Sequence, residues 1–133
     1  MDILYIDDDL EDIGMFREEL HDVDPSINFC YATGSDDALK KLTSFQIRPD
    51  AIFIDFHMPA IDGCECIKVI KERAEFKHIP IILVSSTITS RQIDELNKLG
   101  VYYFLSKTAL LSDMKPALKV ILDSLCKGEE KNR

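Results

Sequence analysis

Five short apolar runs punctuate the chain, each followed by a longer stretch whose apolar residues recur at every third or fourth position. The runs are Ile3–Ile6, Ile27–Tyr31, Ala51–Ile54, Ile79–Val84 and Val101–Leu105. β-Branched and aromatic residues dominate them and none is long enough for a helix, so they read as buried strands. Between the first two, Ile13, Phe16, Leu20 and Val23 share one face of a helix that Asp24-Pro25-Ser26 breaks. Ser35 or Asp36 is placed to cap a second helix, with Ala38, Leu42 and Phe45 at helical spacing. Arg48-Pro49-Asp50 then leads into the third strand. The loop 56–62 contains Pro59, and Gly63 opens a third helix expected to turn Cys66, Ile67, Ile70 and Ala74 inward. Pro80 is tolerable only near the start of the fourth strand. A more polar helix over about Ser90–Leu99 stops at Gly100, and Ser112–Leu125 forms a last amphipathic helix with Leu118, Ile121, Leu122 and Leu125 on one side.

Strict alternation of strands with roughly ten-residue helices predicts an α/β fold with a five-stranded parallel sheet covered on both faces. Right-handed crossovers restrict its topology further. No repeat, low-complexity segment or linker interrupts the pattern. One module is expected over residues 1–126, followed by a solvated tail over 127–133.

Composition narrows the class. A chain of 133 residues with 46% hydrophobic content can bury one core. Its net charge of −8 speaks against nucleic acid or an anionic membrane as a direct partner. Part of that charge is concentrated between Asp7 and Asp12, which makes it a local feature as well as a solubility surface. No apolar stretch reaches transmembrane length, and no basic leader precedes the first strand, so a cytoplasmic location is expected. The four cysteines form no C-x-x-C and have no histidine at zinc-ligand spacing, so they read as reduced thiols.

The candidate chemistry falls just after strands. Asp7 and Asp8 follow the first, Asp55 the third and Ser85 the fourth, while Lys107 comes within two residues of the fifth. Ligands of open α/β sheets bind along that carboxyl-end rim. Carboxylates gathered there repel one another and are normally tolerated around a cation, and oxygen-only ligation points to Mg²⁺ or a similar hard ion. If the first, third, fourth and fifth strands are neighbours, one pocket holds a carboxylate trio, a hydroxyl and an ammonium. Such a set suits phosphoryl transfer to a carboxylate, whose transferred group develops charge on three oxygens. Mg²⁺ would take one oxygen, Lys107 another and Ser85 the third, with Asp55 as the nucleophile.

On these residues the chain resembles the response-regulator receiver domains of two-component signalling, over about residues 1–126. Asp55 lies 47 residues after Asp8, Ser85 lies 30 after Asp55, and Lys107 lies 22 after Ser85; Pro59 and Gly63 stand four and eight residues past Asp55. The resemblance implies the flavodoxin-like strand order 2-1-3-4-5. It also implies that Asp55 accepts phosphate from a sensor histidine kinase or a histidine phosphotransfer protein. Mg²⁺ would be held by Asp8 directly, by Asp7 largely through water, by Asp55, and by the main-chain carbonyl of His57. Ser85 and Lys107 would contact the phosphoryl group, and Phe104 holds the position of the family's aromatic switch residue. Phosphorylation would draw Ser85 inward, admit Phe104 and repack the face made by the fourth helix, fifth strand and fifth helix. With no output domain attached, a stand-alone regulator is expected: a phospho-acceptor catalysing at most its own phosphorylation and dephosphorylation. Its signal would leave through a downstream protein that the sequence does not identify, with homodimerisation through the same face left open. Two departures stand out. Thr108 follows Lys107 where the family usually has a proline preceded by a cis peptide, and Phe104 lacks the hydroxyl of a tyrosine.

Plainer roles suit several neighbours. Asp9 precedes a helix and reads as its N-cap, and Asp62 as a helix-start residue. Ser86 reads as structural, His57 as an exposed loop residue, and His21 and His78 as solvated. Two rival functions use some of the same residues. A haloacid-dehalogenase-type phosphatase would exploit the Asp-x-Asp within Asp7–Asp9, but needs a further acid pair where only Asp113 and Asp123 follow, and leaves Asp55 unexplained. A receiver-like module that binds partners without phosphate is the other.

Overall fold

The computed structural model describes residues 1–44, 46–56, 63–86, 89–106 and 110–127, with residues 110–113 described by backbone alone. Among these, strands and helices alternate strictly. The strands are β1 (Asp2–Ile6), β2 (Asn28–Ala32), β3 (Ala51–Asp55), β4 (Ile81–Ser85) and β5 (Tyr103–Ser106). The helices are α1 (Leu10–Val23), α2 (Ser35–Thr43), α3 (Gly63–Lys71), α4 (Ser90–Lys98) and α5 (Leu110–Lys127). All strand pairs are parallel and the order is β2-β1-β3-β4-β5, as the resemblance implies. Phe45, His57, Pro59, Asp62, Lys107 and Thr108 lie outside the described residues. No described helix is long and apolar enough to cross a membrane.

Alternation along the strands divides the core in two, because successive side chains point to opposite faces. Leu4, Ile6, Ile52, Ile54, Ile81 and Leu83 pack under α2, α3 and α4, against Ala38, Leu42, Cys66, Ile67, Ile70 and Leu96. Ile3, Tyr5, Phe53, Ile82, Val84 and Leu105 pack under α1 and α5, against Ile13, Phe16, Leu20, Leu118, Ile121 and Leu122. Every residue of β3 and β4 is buried, which is why those two strands are apolar up to their last residue rather than alternating.

Some boundaries differ from the sequence expectation, for local reasons. Neither Ser35 nor Asp36 caps α2. The carbonyl of Gly34 closes the first turn, so Ser35 becomes its first helical residue and is buried. Ala74 lies beyond the end of α3 and is exposed, while Phe76, carried by the turn that follows, fills the buried position. Val101 lies in the turn that closes α4 rather than in β5. Gly100 takes φ +84°, the Val101 N–H returns to the Leu96 carbonyl, and pairing with β4 begins only at the Tyr102 N–H.

Among the described glycines, Gly63 makes the closest approach to its neighbours. A Cβ there would stand 2.9 Å from the Phe56 Cα and 3.2 Å from Leu83 Cδ1. Gly14, mid-helix on the exposed side of α1, has nothing within 4 Å. Urea unfolding should therefore separate the two. Gly63→Ala is expected to lose roughly 1–3 kcal/mol through forced displacement of Phe56 and Leu83. Gly14→Ala should gain roughly 0.5–1 kcal/mol through helix propensity.

Candidate functional site

Parallel register brings the acids together. Ile6 pairs with Ile54 across β1 and β3, so the next residues along, Asp7 and Asp55, emerge side by side at the carboxyl edge. Asp8 follows on the loop into α1. One carboxylate oxygen from each of Asp7, Asp8 and Asp55 can be chosen so that all lie within 4.8 Å of one another. Asp7 is 0% and Asp55 4% exposed, whereas Asp8 faces solvent. At such separations two carboxylates repel by roughly 3 kcal/mol before solvent screening, taking an effective dielectric of about 20. Three hard oxygen donors converging on one point fit a divalent cation of the Mg²⁺ class.

The buried Asp7 carboxylate is held at both oxygens. Oδ2 accepts from the Tyr5 hydroxyl at 2.8 Å and Oδ1 from the Asp9 N–H at 3.0 Å. Asp9 itself caps α1, its Oδ1 accepting from the Glu11 N–H at 2.9 Å, as the sequence predicts. Burial, reinforced by the Asp7 carboxylate, raises the Tyr5 phenol well above its ordinary value. The phenol therefore stays protonated and is the donor.

Ser85 ends β4 and is 6% exposed. It pairs with Ser106 of β5, while its predecessor Val84 pairs with Asp55. The hydroxyl-bearing residue thus stands one step along the edge from the acids. Phe104 pairs with Leu83 and packs, partly buried, on the α2/α3/α4 side of the sheet. Ser85 shares that face by alternation. Ser86 is exposed, as are His21 and His78. The Lys107 ammonium and the His57 carbonyl lie outside the described residues.

Two features escape a linear reading. Tyr5 reads as one more strand aromatic, although residues two apart on a strand share a face and so place its hydroxyl beneath Asp7. Ser124 sits buried on α5, within 3.1 Å of the Tyr102 hydroxyl, which donates to it. The cysteines are free thiols, and burial pushes Cys66 up to about 12. Asp123, one of the acids open to a phosphatase reading, is on the exposed side of α5 and pairs with Lys119 at 3.5 Å.

The family model for the response regulator receiver domain matches residues 3–119. The chain belongs to that family, the receiver domains of response regulators in two-component signalling. Its particular relatives include the two-component response regulator ARR5 of Arabidopsis thaliana, 35% identical over 85 residues that cover 64% of this chain and 44% of that protein. The chain spans less than half the length of this and similar plant regulators. Among solved structures, the phosphorylated cyanobacterial phytochrome response regulator RcpA matches with a TM-score of 0.83 at 25% identity, over 96% of this chain and 94% of that one. The Mn²⁺-bound form of response regulator Rcp1 has the same fold, with a TM-score of 0.75 at 21% identity over 92% and 91% of the two chains.

Repulsion within the acid trio has a measurable consequence. In metal-free, low-salt buffer, Asp8→Asn should stabilise the chain by a few tenths to about 1 kcal/mol, the modest scale of a solvent-facing charge. That gain should shrink as salt is added. Thermal unfolding at two ionic strengths checks both, and destabilisation at low salt would contradict the repulsion.

Proposed function

We propose that this chain is a phospho-acceptor of two-component signalling, modified on Asp55 in a Mg²⁺-dependent reaction. The observation that carries the reading is the convergence of Asp7, Asp8 and Asp55 within 4.8 Å at the strand ends. Asp8 and Asp55, with Asp7 acting largely through water and the His57 carbonyl completing the set, would hold the ion. Mg²⁺ when bound would neutralise charge on the transferred phosphoryl oxygens. An Asp55 carboxylate oxygen attacks phosphorus of a phosphohistidine donor; the new O–P bond forms as the N–P bond breaks, and the imidazole leaves with its electron pair. Lys107 and the Ser85 hydroxyl receive the remaining phosphoryl oxygens. The chain acts on itself, as acceptor and later as the site of hydrolysis, rather than on a separate substrate.

The same reading supplies a switch. Ser85 and Phe104 share one face of the sheet on adjacent strands, so a Ser85 drawn toward the phosphoryl group leaves space into which Phe104 can turn. α4 carries only Leu96 fully into the core, so it is lightly anchored and free to shift with that turn. Phosphorylation would then bias a two-state equilibrium of the α4-β5-α5 face. That face would engage a downstream protein or a second copy of the chain. The donor would be a sensor histidine kinase or a histidine phosphotransfer protein, and the setting cytoplasmic, in keeping with the free thiols. The acidic surface suits protein partners rather than nucleic acid or membrane.

Intact mass after incubation with acetyl phosphate tests the chemistry. A single phosphoryl adduct is expected with Mg²⁺, lost on chelation and absent from Asp55→Asn. An undiminished adduct in that variant would refute the assignment. Steady phosphate release blocked by Asp7→Asn but not by Asp55→Asn would transfer the chemistry to a phosphatase.

A further inference from the structure

We infer that Tyr5 is a positioning residue for the cation site, its hydroxyl orienting the Asp7 carboxylate. The inference rests on reading Asp7, Asp8 and Asp55 as that site. Tyr5 is almost fully buried on the α1/α5 side, among Ile3, Ile13, Phe16 and Phe53. None of those side chains can accept a hydrogen bond, and phenylalanine would fill the same apolar space. Among the described residues the hydroxyl therefore serves one acceptor, Asp7 Oδ2 at 2.8 Å.

The ring that carries it is fixed. It stacks on Phe16 with centroids 4.3 Å apart and planes 12° apart, and Phe16 in turn contacts Phe53 at 5.1 Å. A hydroxyl on so constrained a ring has little freedom, and neither has the carboxylate oxygen bound to it. The other oxygen is tied to the Asp9 N–H at the start of α1. Without the hydroxyl, Oδ2 loses a donor held in place by the stacked ring, and the carboxylate is less firmly oriented. Groups that orient metal-binding side chains typically contribute 10–100-fold in affinity when removed.

The test is Mg²⁺ titration of the full chain by calorimetry, with tyrosine near-ultraviolet difference spectra recorded in parallel. Wild type, Tyr5→Phe and Tyr102→Phe are compared, the last removing a hydroxyl bonded to Ser124 instead. Tyr5→Phe should bind Mg²⁺ about tenfold more weakly, and Tyr102→Phe as wild type. Cation binding should perturb the phenol bonded to Asp7, giving the wild type a difference spectrum that saturates with the calorimetric midpoint and vanishes in Tyr5→Phe. Equal or tighter binding by Tyr5→Phe, or a retained difference spectrum, would overturn the inference. If that variant does not fold, the wild type decides alone: calorimetric binding without a tyrosine signal overturns it. No binding by wild type in either measurement would instead overturn the cation site on which the inference rests.

Discussion

Three carboxylates forced together at the ends of two neighbouring parallel strands set the terms for everything around them. Parallel pairing of β1 with β3 leaves Asp7 and Asp55 no alternative to standing side by side, and burial removes the water that would otherwise screen them. A charged group so placed needs fixed donors, a counter-cation, or both. The fixed donors are present for Asp7, in the Tyr5 hydroxyl and the Asp9 amide. The two-sided apolar core supplies the rigidity that keeps the strand ends, and hence the charges, from moving apart.

The division of the sheet into two faces gives the edge two distinct duties. Tyr5, Asp7 and Asp55 follow the strand positions that pack under α1 and α5. Ser85 and Phe104 follow the positions that pack under α2, α3 and α4. In the proposed function the first set holds the cation and carries the acceptor Asp55, while the second contacts the phosphoryl group through Ser85 and transmits its arrival through Phe104. The difference in anchoring fits this division. α1 sends Ile13, Phe16 and Leu20 into the core, while α4 sends Leu96 and is held at its start by the reciprocal Thr89–Gln92 cap.

Much of this was legible along the chain because the strands are short, buried and bounded by polar residues. β3 and β4, apolar up to their last residue, announce themselves, and acids at or directly after a strand end have only the rim to occupy. The positions that misled are those where a turn competes with an element. Gly100 bends the chain so that Val101 lies in the turn that closes α4, and the turn after α3 lets Phe76 take the place expected for Ala74. Tyr5 was hidden for a different reason. Its ring satisfies the apolar pattern completely, and the meaning of its hydroxyl depends on a carboxylate two residues on sharing its face. Pattern reading weighs a tyrosine in a strand as apolar surface, and only the three-dimensional contact reveals the donor.

The most direct test of the account is to locate the cation. Crystals grown or soaked with Mn²⁺ in place of Mg²⁺ would show it by anomalous scattering. The account predicts one strong peak at the carboxyl edge of the sheet, bounded by the carboxylates of Asp7, Asp8 and Asp55. A strong peak elsewhere on the chain, with none at that edge, would contradict it.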